Sequence, residues 1–125
     1  MAYNNILGEA ETYIAGADLT GKQFTFVTSD GYEVTTTGAG ESATGVLWNE
    51  PVEGDAATVV RGGEVNVYVG SGGLSPGQEV TADTDGKAVL AYHGAVILGE
   101  ARTAANSGGL ATVTFYPVAQ SVQNS

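Results

Sequence analysis

An all-β fold is what this 125-residue chain predicts, on three observations. Short runs of β-branched and aromatic residues alternate with polar ones. Turn residues recur roughly every ten positions, and the stretch from Gly45 to Val89 carries no helical period. Glycine is abundant, with 19 residues against 3 prolines, and in β-proteins it marks turns, bulges and close backbone approaches.

The elements follow in order. Residues 1–21 read as an extended N-terminal arm, with Thr12, Tyr13 and Ile14 the part suited to pairing or packing. An arm with few apolar residues orders against a partner. Gln23–Thr28 reads as a strand with Phe24 and Phe26 on one face. Asp30-Gly31 turns it back into Tyr32–Thr37, because Asp-Gly tolerates hairpin φ angles. Gly38–Glu41 is a loop into the strand Ala43–Trp48, and Pro51–Asp55 is another turn. Ala56–Arg61 and Glu64–Val69 read as a hairpin joined by Gly62-Gly63. Val65, Val67 and Val69 then share one face, and Glu64, Asn66 and Tyr68 the other. Ser75-Pro76-Gly77 suits a type II turn before the short strand Gln78–Thr81. Asp85-Gly86 leads into Lys87–Ala91. Ala95–Ala101 is almost unbroken apolar sequence, expected as a strand buried on both faces. Leu110–Tyr116 closes the set, with Ala111, Val113 and Phe115 on one side. Thr44–Leu47 and Val96–Gly99 echo each other ahead of a turn and a further strand, too weakly to count as a repeat.

Charge narrows the function. Fourteen acidic against 4 basic residues leave a net charge of −10. Lys22, Arg61, Lys87 and Arg102 stand singly, so neither nucleic acid nor an anionic membrane finds a basic patch. No cysteine is present, which fits folding in a reducing cytoplasm and removes thiolate chemistry. The start of the chain lacks the pattern of a signal peptide, and no apolar run is long enough to cross a bilayer.

Motifs with catalytic overtones fail on mechanics. Gly73-Leu74-Ser75-Pro76-Gly77 spells a nucleophile elbow, yet Pro76 has no N–H for the oxyanion hole. Gly38–Ala43 spells a dinucleotide fingerprint but leads into a strand, not a helix. Asp83–Gly86 matches only part of a calcium loop, and Tyr92 stands where the closing Glu belongs. His93 is the single histidine, too few for a zinc site. The expectation is a protein that is not an enzyme and has no cofactor or metal. Trp48 beside Asn49-Glu50-Pro51 is a core residue or an interface anchor.

A resemblance then emerges from an ordered set of segments. These are Ala17–Gln23, Gly45-Val46-Leu47, Gly54–Val59, Gly70–Gly77, Asp85–Val89 and Gly109–Val113. Together they resemble small tailed-phage capsid decoration (cement) proteins, over roughly residues 17–116. The resemblance implies a virion protein, made in the host cytoplasm, that binds the outer surface of an expanded head. It implies the major capsid protein and its own copies as partners, as a trimer at threefold or quasi-threefold sites. Such a protein adds stability against internal DNA pressure. The arm could add a strand to a neighbour's sheet edge. Expected contact residues are Tyr13 and Ile14 in the arm, and Trp48, Pro51 and Val52 near the Pro51 turn. The alternatives are a carbohydrate- or surface-binding module using Trp48 and Tyr68, or a head-completion or tail structural protein.

The expected architecture is one small β-sandwich or β-barrel-like (tulip-like) domain of about nine short strands, residues 22–117. It carries the arm, residues 1–21, and a polar C-terminal tail, residues 118–125.

Overall fold

A computed structural model describes residues 10–116; the first nine residues of the arm and the polar tail lie outside that range. The described residues are all-β, with ten strands and no helix. The strands are β1 (Ala10–Ala15), β2 (Phe26–Ser29), β3 (Glu33–Thr36), β4 (Gly45–Leu47) and β5 (Ala56–Val60). Then come β6 (Gly63–Tyr68), β7 (Glu79–Ala82), β8 (Ala88–Leu90), β9 (Gly99–Ala101) and β10 (Leu110–Phe115). Each of the nine expected runs overlaps one of β2 to β10, with β2, β6 and β7 reaching one residue outside theirs, and β1 is additional.

The first five strands close into a barrel of order β1-β3-β2-β4-β5. β1 closes it, antiparallel to β5 from Ala10↔Val60 to Ile14↔Ala56 and parallel to β3 at Ala15↔Val34. The last five form a sheet of order β6-β10-β9-β7-β8. Its two edges touch through one parallel bridge, Val69↔Ala88.

Alternation explains the packing. Val27, Leu47 and Val59 fill the barrel with Ala15, Leu19, Val34 and Ala57. Their neighbours Phe26, Val46 and Val60 point outward and join the second core, formed with Val67, Val80, Val113 and Phe115 of the second sheet. β2, β4 and β5 thus bury both faces, and every residue of β4 is buried. Two layers of apolar side chains are therefore built from one set of strands.

Three expected elements differ in the structure. Gly62-Gly63 does not close a hairpin: β5 pairs with β1 and β4, whereas β6 pairs with β10. Both edges of β5 are already paired, and Gly63, at φ +82°, turns the chain from barrel to second sheet. Phe24 does not share a strand face with Phe26. It precedes β2 at φ +64°. Within Ala95–Ala101 only Gly99–Ala101 pairs as a strand, although Ile97 and Leu98 are buried as expected. Residues 10–15 of the arm form β1 of the chain's own barrel: Ala10–Ile14 pair with β5, and Ile14 and Ala15 pair with β3.

The two halves are the same motif twice. β1 to β5 correspond in order to β6 to β10, strand for strand. Gly45 pairs with Val27 as Gly99 pairs with Val80. Ile14 faces Ala56 as Tyr68 faces Leu110. The loops repeat as well. Leu19 N–H donates to Pro51 O, and Leu74 N–H to Ala105 O, both at 2.9 Å. Phe24 N–H reaches Leu47 O at 2.7 Å, and Gly77 N–H reaches Ala101 O at 2.8 Å. Even capping side chains recur: Asn49 Oδ1 accepts from Thr58 N–H and Thr103 Oγ1 from Thr112 N–H, each at 3.0 Å. Asp30 and Asp83 hold the two hairpin turns through Oδ1, accepting from Glu33 and Lys87 N–H. Those backbone donors also keep the Asp30 carboxyl below its ordinary pKa, Glu33 first and Tyr32 second. The echo seen in the sequence lay in the right region with its register displaced by two residues, since Gly45 corresponds to Gly99.

Candidate functional site

The two halves meet along a seam, and an aromatic cluster sits at its rim. Lys22-Gln23-Phe24-Thr25 makes a turn closed by Thr25 N–H to Lys22 O at 3.2 Å. Phe24 holds the third position, which takes positive φ in a type II turn. The corresponding turn, Ser75-Pro76-Gly77-Gln78, has Gly77 there at φ +89° and closes the same way, also at 3.2 Å. This second turn is the type II turn expected from Pro76-Gly77. A bulky residue in this conformation is strained by about 1–3 kcal/mol. The Phe24 ring offsets that by packing edge-on to Trp48, centroids 5.4 Å apart at 76°. It also lies 6.2 Å from the Tyr68 ring. Tyr68 N–H donates to Phe24 O at 2.9 Å, and Gln23 Nε2 to Trp48 O at 2.8 Å. The cluster therefore joins the first half, through Phe24 and Trp48, to the second, through Tyr68.

A direct measurement checks this account of strain. Phe24→Gly is expected to be more stable than Phe24→Ala by about 1 kcal/mol, the reverse of the usual order at extended positions. Chemical denaturation of both variants reads the difference, and an Ala variant equal to or above Gly would refute it.

The other end of the barrel, where β1 begins and β5 ends, is closed by polar groups. Arg61 Nη1 bonds Glu11 Oε1 at 2.8 Å, and the Tyr13 hydroxyl donates to the same oxygen at 2.9 Å. The Tyr13 bond first and Arg61 second hold the Glu11 carboxyl below its usual pKa. Burial first, then the bond to Glu11, pushes the Tyr13 phenol up. Ser29 N–H donates to Thr44 Oγ1 at 2.8 Å on the same rim. Beside it, Glu11 to Ile14 line an open groove of about 560 Å³ with Gly31 and Tyr32. Tyr32 is 67% exposed.

The five residues expected at contacts fall in three places. Tyr13 packs against the barrel core and is tied down by Glu11; Ile14, next along β1, is half-buried. Trp48 belongs to the aromatic cluster. Pro51 is buried with its carbonyl on Leu19 N–H, while Val52 is 49% exposed at the start of the next turn. Sequence reasoning missed Phe24 and Tyr32. No local signal marks positive φ at a phenylalanine, but alignment of its turn with the Pro76-Gly77 turn would have exposed it.

Other chemistry is sparse. Asp83 to Gly86 serve the β7–β8 turn, with Asp83 Oδ1 accepting from Asp85 and Lys87 N–H. His93 is exposed on a loop. Among the described residues, no three His, Asp or Glu side chains come together as a metal site requires.

No protein-family model and no curated protein sequence matches the chain. Among solved structures, the fold is similar to the crystal structure of head fiber gp8.5 N base in bacteriophage phi29. The TM-score is 0.72 at 21% identity, covering 86% of this chain and 93% of that one.

Proposed function

We propose that this chain is a non-enzymatic structural protein of a phage virion. It binds the outer surface of the expanded head, contacts the major capsid protein, and stabilises the shell as a trimer at threefold or quasi-threefold sites. The observation that carries this reading is the fold shared with the phi29 head fiber base over most of both chains. The resemblance of the sequence to decoration proteins points the same way. A net charge of −10 suits an outer surface rather than contact with packaged DNA or an anionic membrane. Many identical sites on a shell give avidity to modest single contacts. The main rival, carbohydrate binding on Trp48 and Tyr68, needs open ring faces, whereas these two rings both pack on Phe24.

Co-sedimentation with expanded shells that lack the protein tests the reading. Saturable binding at a multiple of three copies per shell is expected, with little binding to unexpanded shells. Equal binding to both forms, or none at high concentration, would overturn it.

A further inference from the structure

β1 is paired along the whole of one edge and along only a short part of the other. On the β3 side its even-numbered residues make the bonds: Ile14 N–H donates to Tyr32 O at 3.1 Å and Gly16 N–H to Val34 O at 2.8 Å. Strand alternation points the main-chain groups of Ala10 and Thr12 the same way. β3, however, starts at Glu33, opposite Ile14. Among the described residues, no strand pairs with Ala10 to Tyr13 on that side. What lies there is the groove of about 560 Å³ lined by Glu11 to Ile14, Gly31 and Tyr32. An open strand edge is a template for a further strand. The Tyr32 side chain beside it is the most exposed of the large hydrophobic ones among the described residues, at 67%. Glu11 lines the groove, and Asp30 and Glu33 stand on either side of Gly31-Tyr32, all three exposed. Arg61 answers Glu11 within the chain, so Asp30 and Glu33 leave this rim acidic.

We propose that this edge of β1 receives an extended segment of the major capsid protein, carrying Lys or Arg, as an added strand. The proposal rests on the shell-binding reading above and names its contact. An extended polypeptide offers the main-chain donor and acceptor that Thr12 C=O and N–H require, and its alternate side chains enter the groove. The Tyr32 ring is the anchor: it covers apolar side chains, and its face attracts a cation. A second copy of the chain suits the site poorly, because its 14 acidic and 4 basic residues bring mostly like charge to an acidic rim. The contact asks nothing of Arg61, which follows β5 on the other side of β1. Its main-chain bonds are few, and repetition over one shell turns such a contact into firm attachment.

Two measurements on the full chain test it, with expanded shells that lack the protein as the probe. The first is amide hydrogen exchange. The Thr12 amide should exchange fast in the free protein and at least about tenfold more slowly on shells. The second is co-sedimentation of variants that keep the wild-type circular dichroism. Thr12→Pro removes the outward N–H and leaves the bonds to β5 in place, as proline does at an open edge. Tyr32→Ala removes the anchor from an exposed turn and covers the case in which Thr12→Pro does not fold. Each should weaken shell binding at least about tenfold. Glu33→Lys should weaken it as well, and tighter binding by that variant would overturn the basic partner. Slow exchange at Thr12 that appears with protein concentration alone would assign the edge to a second copy and overturn the proposal. Wild-type binding to shells with Thr12 exchange unchanged and both variants unaffected defeats this contact alone. A wild type that binds no shell defeats the decoration reading, and the contact falls with it.

Discussion

Phe26→Ala is expected to lower the free energy of unfolding by about 3–5 kcal/mol. Phe26 is fully buried and stands at the centre of the seam against Phe115. Its neighbour on β4, Val46, is also fully buried, so little around it is free to collapse into the space left behind. Since a domain of this size is stable by about 5–15 kcal/mol, the change removes a large share of the whole. Equilibrium denaturation measures it. A loss below about 1 kcal/mol would mean that the two halves do not depend on this contact.

Gly99→Ala is expected to cost about 3 kcal/mol, at the upper end of overpacking changes. A Cβ on Gly99 would land on the Thr114 carbonyl oxygen, and one on Gly45 would land on the corresponding oxygen of Val60. Both collisions are with strand backbone, which cannot swing aside as a flexible side chain does. Gly45→Ala should therefore behave alike. Gly62→Ala, with nothing within 4 Å, serves as the neutral control. Thermal or denaturant unfolding of the three variants reads the pattern, and a Gly99 variant as stable as the Gly62 control would contradict it.

Local features of the fold were legible in the sequence. The strands β2 to β10 each overlap a run expected from alternation, and the Asp30-Gly31, Pro76-Gly77 and Asp85-Gly86 turns sit where turn chemistry places them. Pairing was less legible because it is non-local. Gly62-Gly63 carries a hairpin signal, yet β1 and β4 occupy both edges of β5, and β6 pairs instead with β10. β1 was legible only as an extended segment suited to pairing, not as a barrel strand, because Ala10-Glu11-Thr12-Tyr13-Ile14-Ala15 is short and half polar and is made a strand by pairing with β5 and β3. The repeat was hidden because only interior positions and turns resemble each other, as in Val27 with Val80, Ala57 with Ala111 and Val59 with Val113. At the seam, the substitutions that distinguish the halves, such as Phe26 for Glu79, erase the likeness. Of the contact residues, Trp48 was singled out by its residue type, but its partner Phe24 was not, because their packing is non-local; the bond from Leu19 N–H to the Pro51 carbonyl is likewise non-local.

The closure of the barrel by β1 carries a consequence for synthesis. Every strand of the barrel, and every partner of β1, lies within residues 10–60. The barrel can thus be complete as soon as Val60 has cleared the ribosome. The face bearing Phe26, Val46 and Val60 then waits, uncovered, until β6 to β10 have been translated. At about 5–20 residues per second that wait lasts several seconds. During it the nascent chain presents an apolar surface with no partner of its own, and neighbouring ribosomes on one message hold identical surfaces close by. Chaperone engagement or exchange of second halves between adjacent chains belongs to that interval, and folding after release would not reveal it.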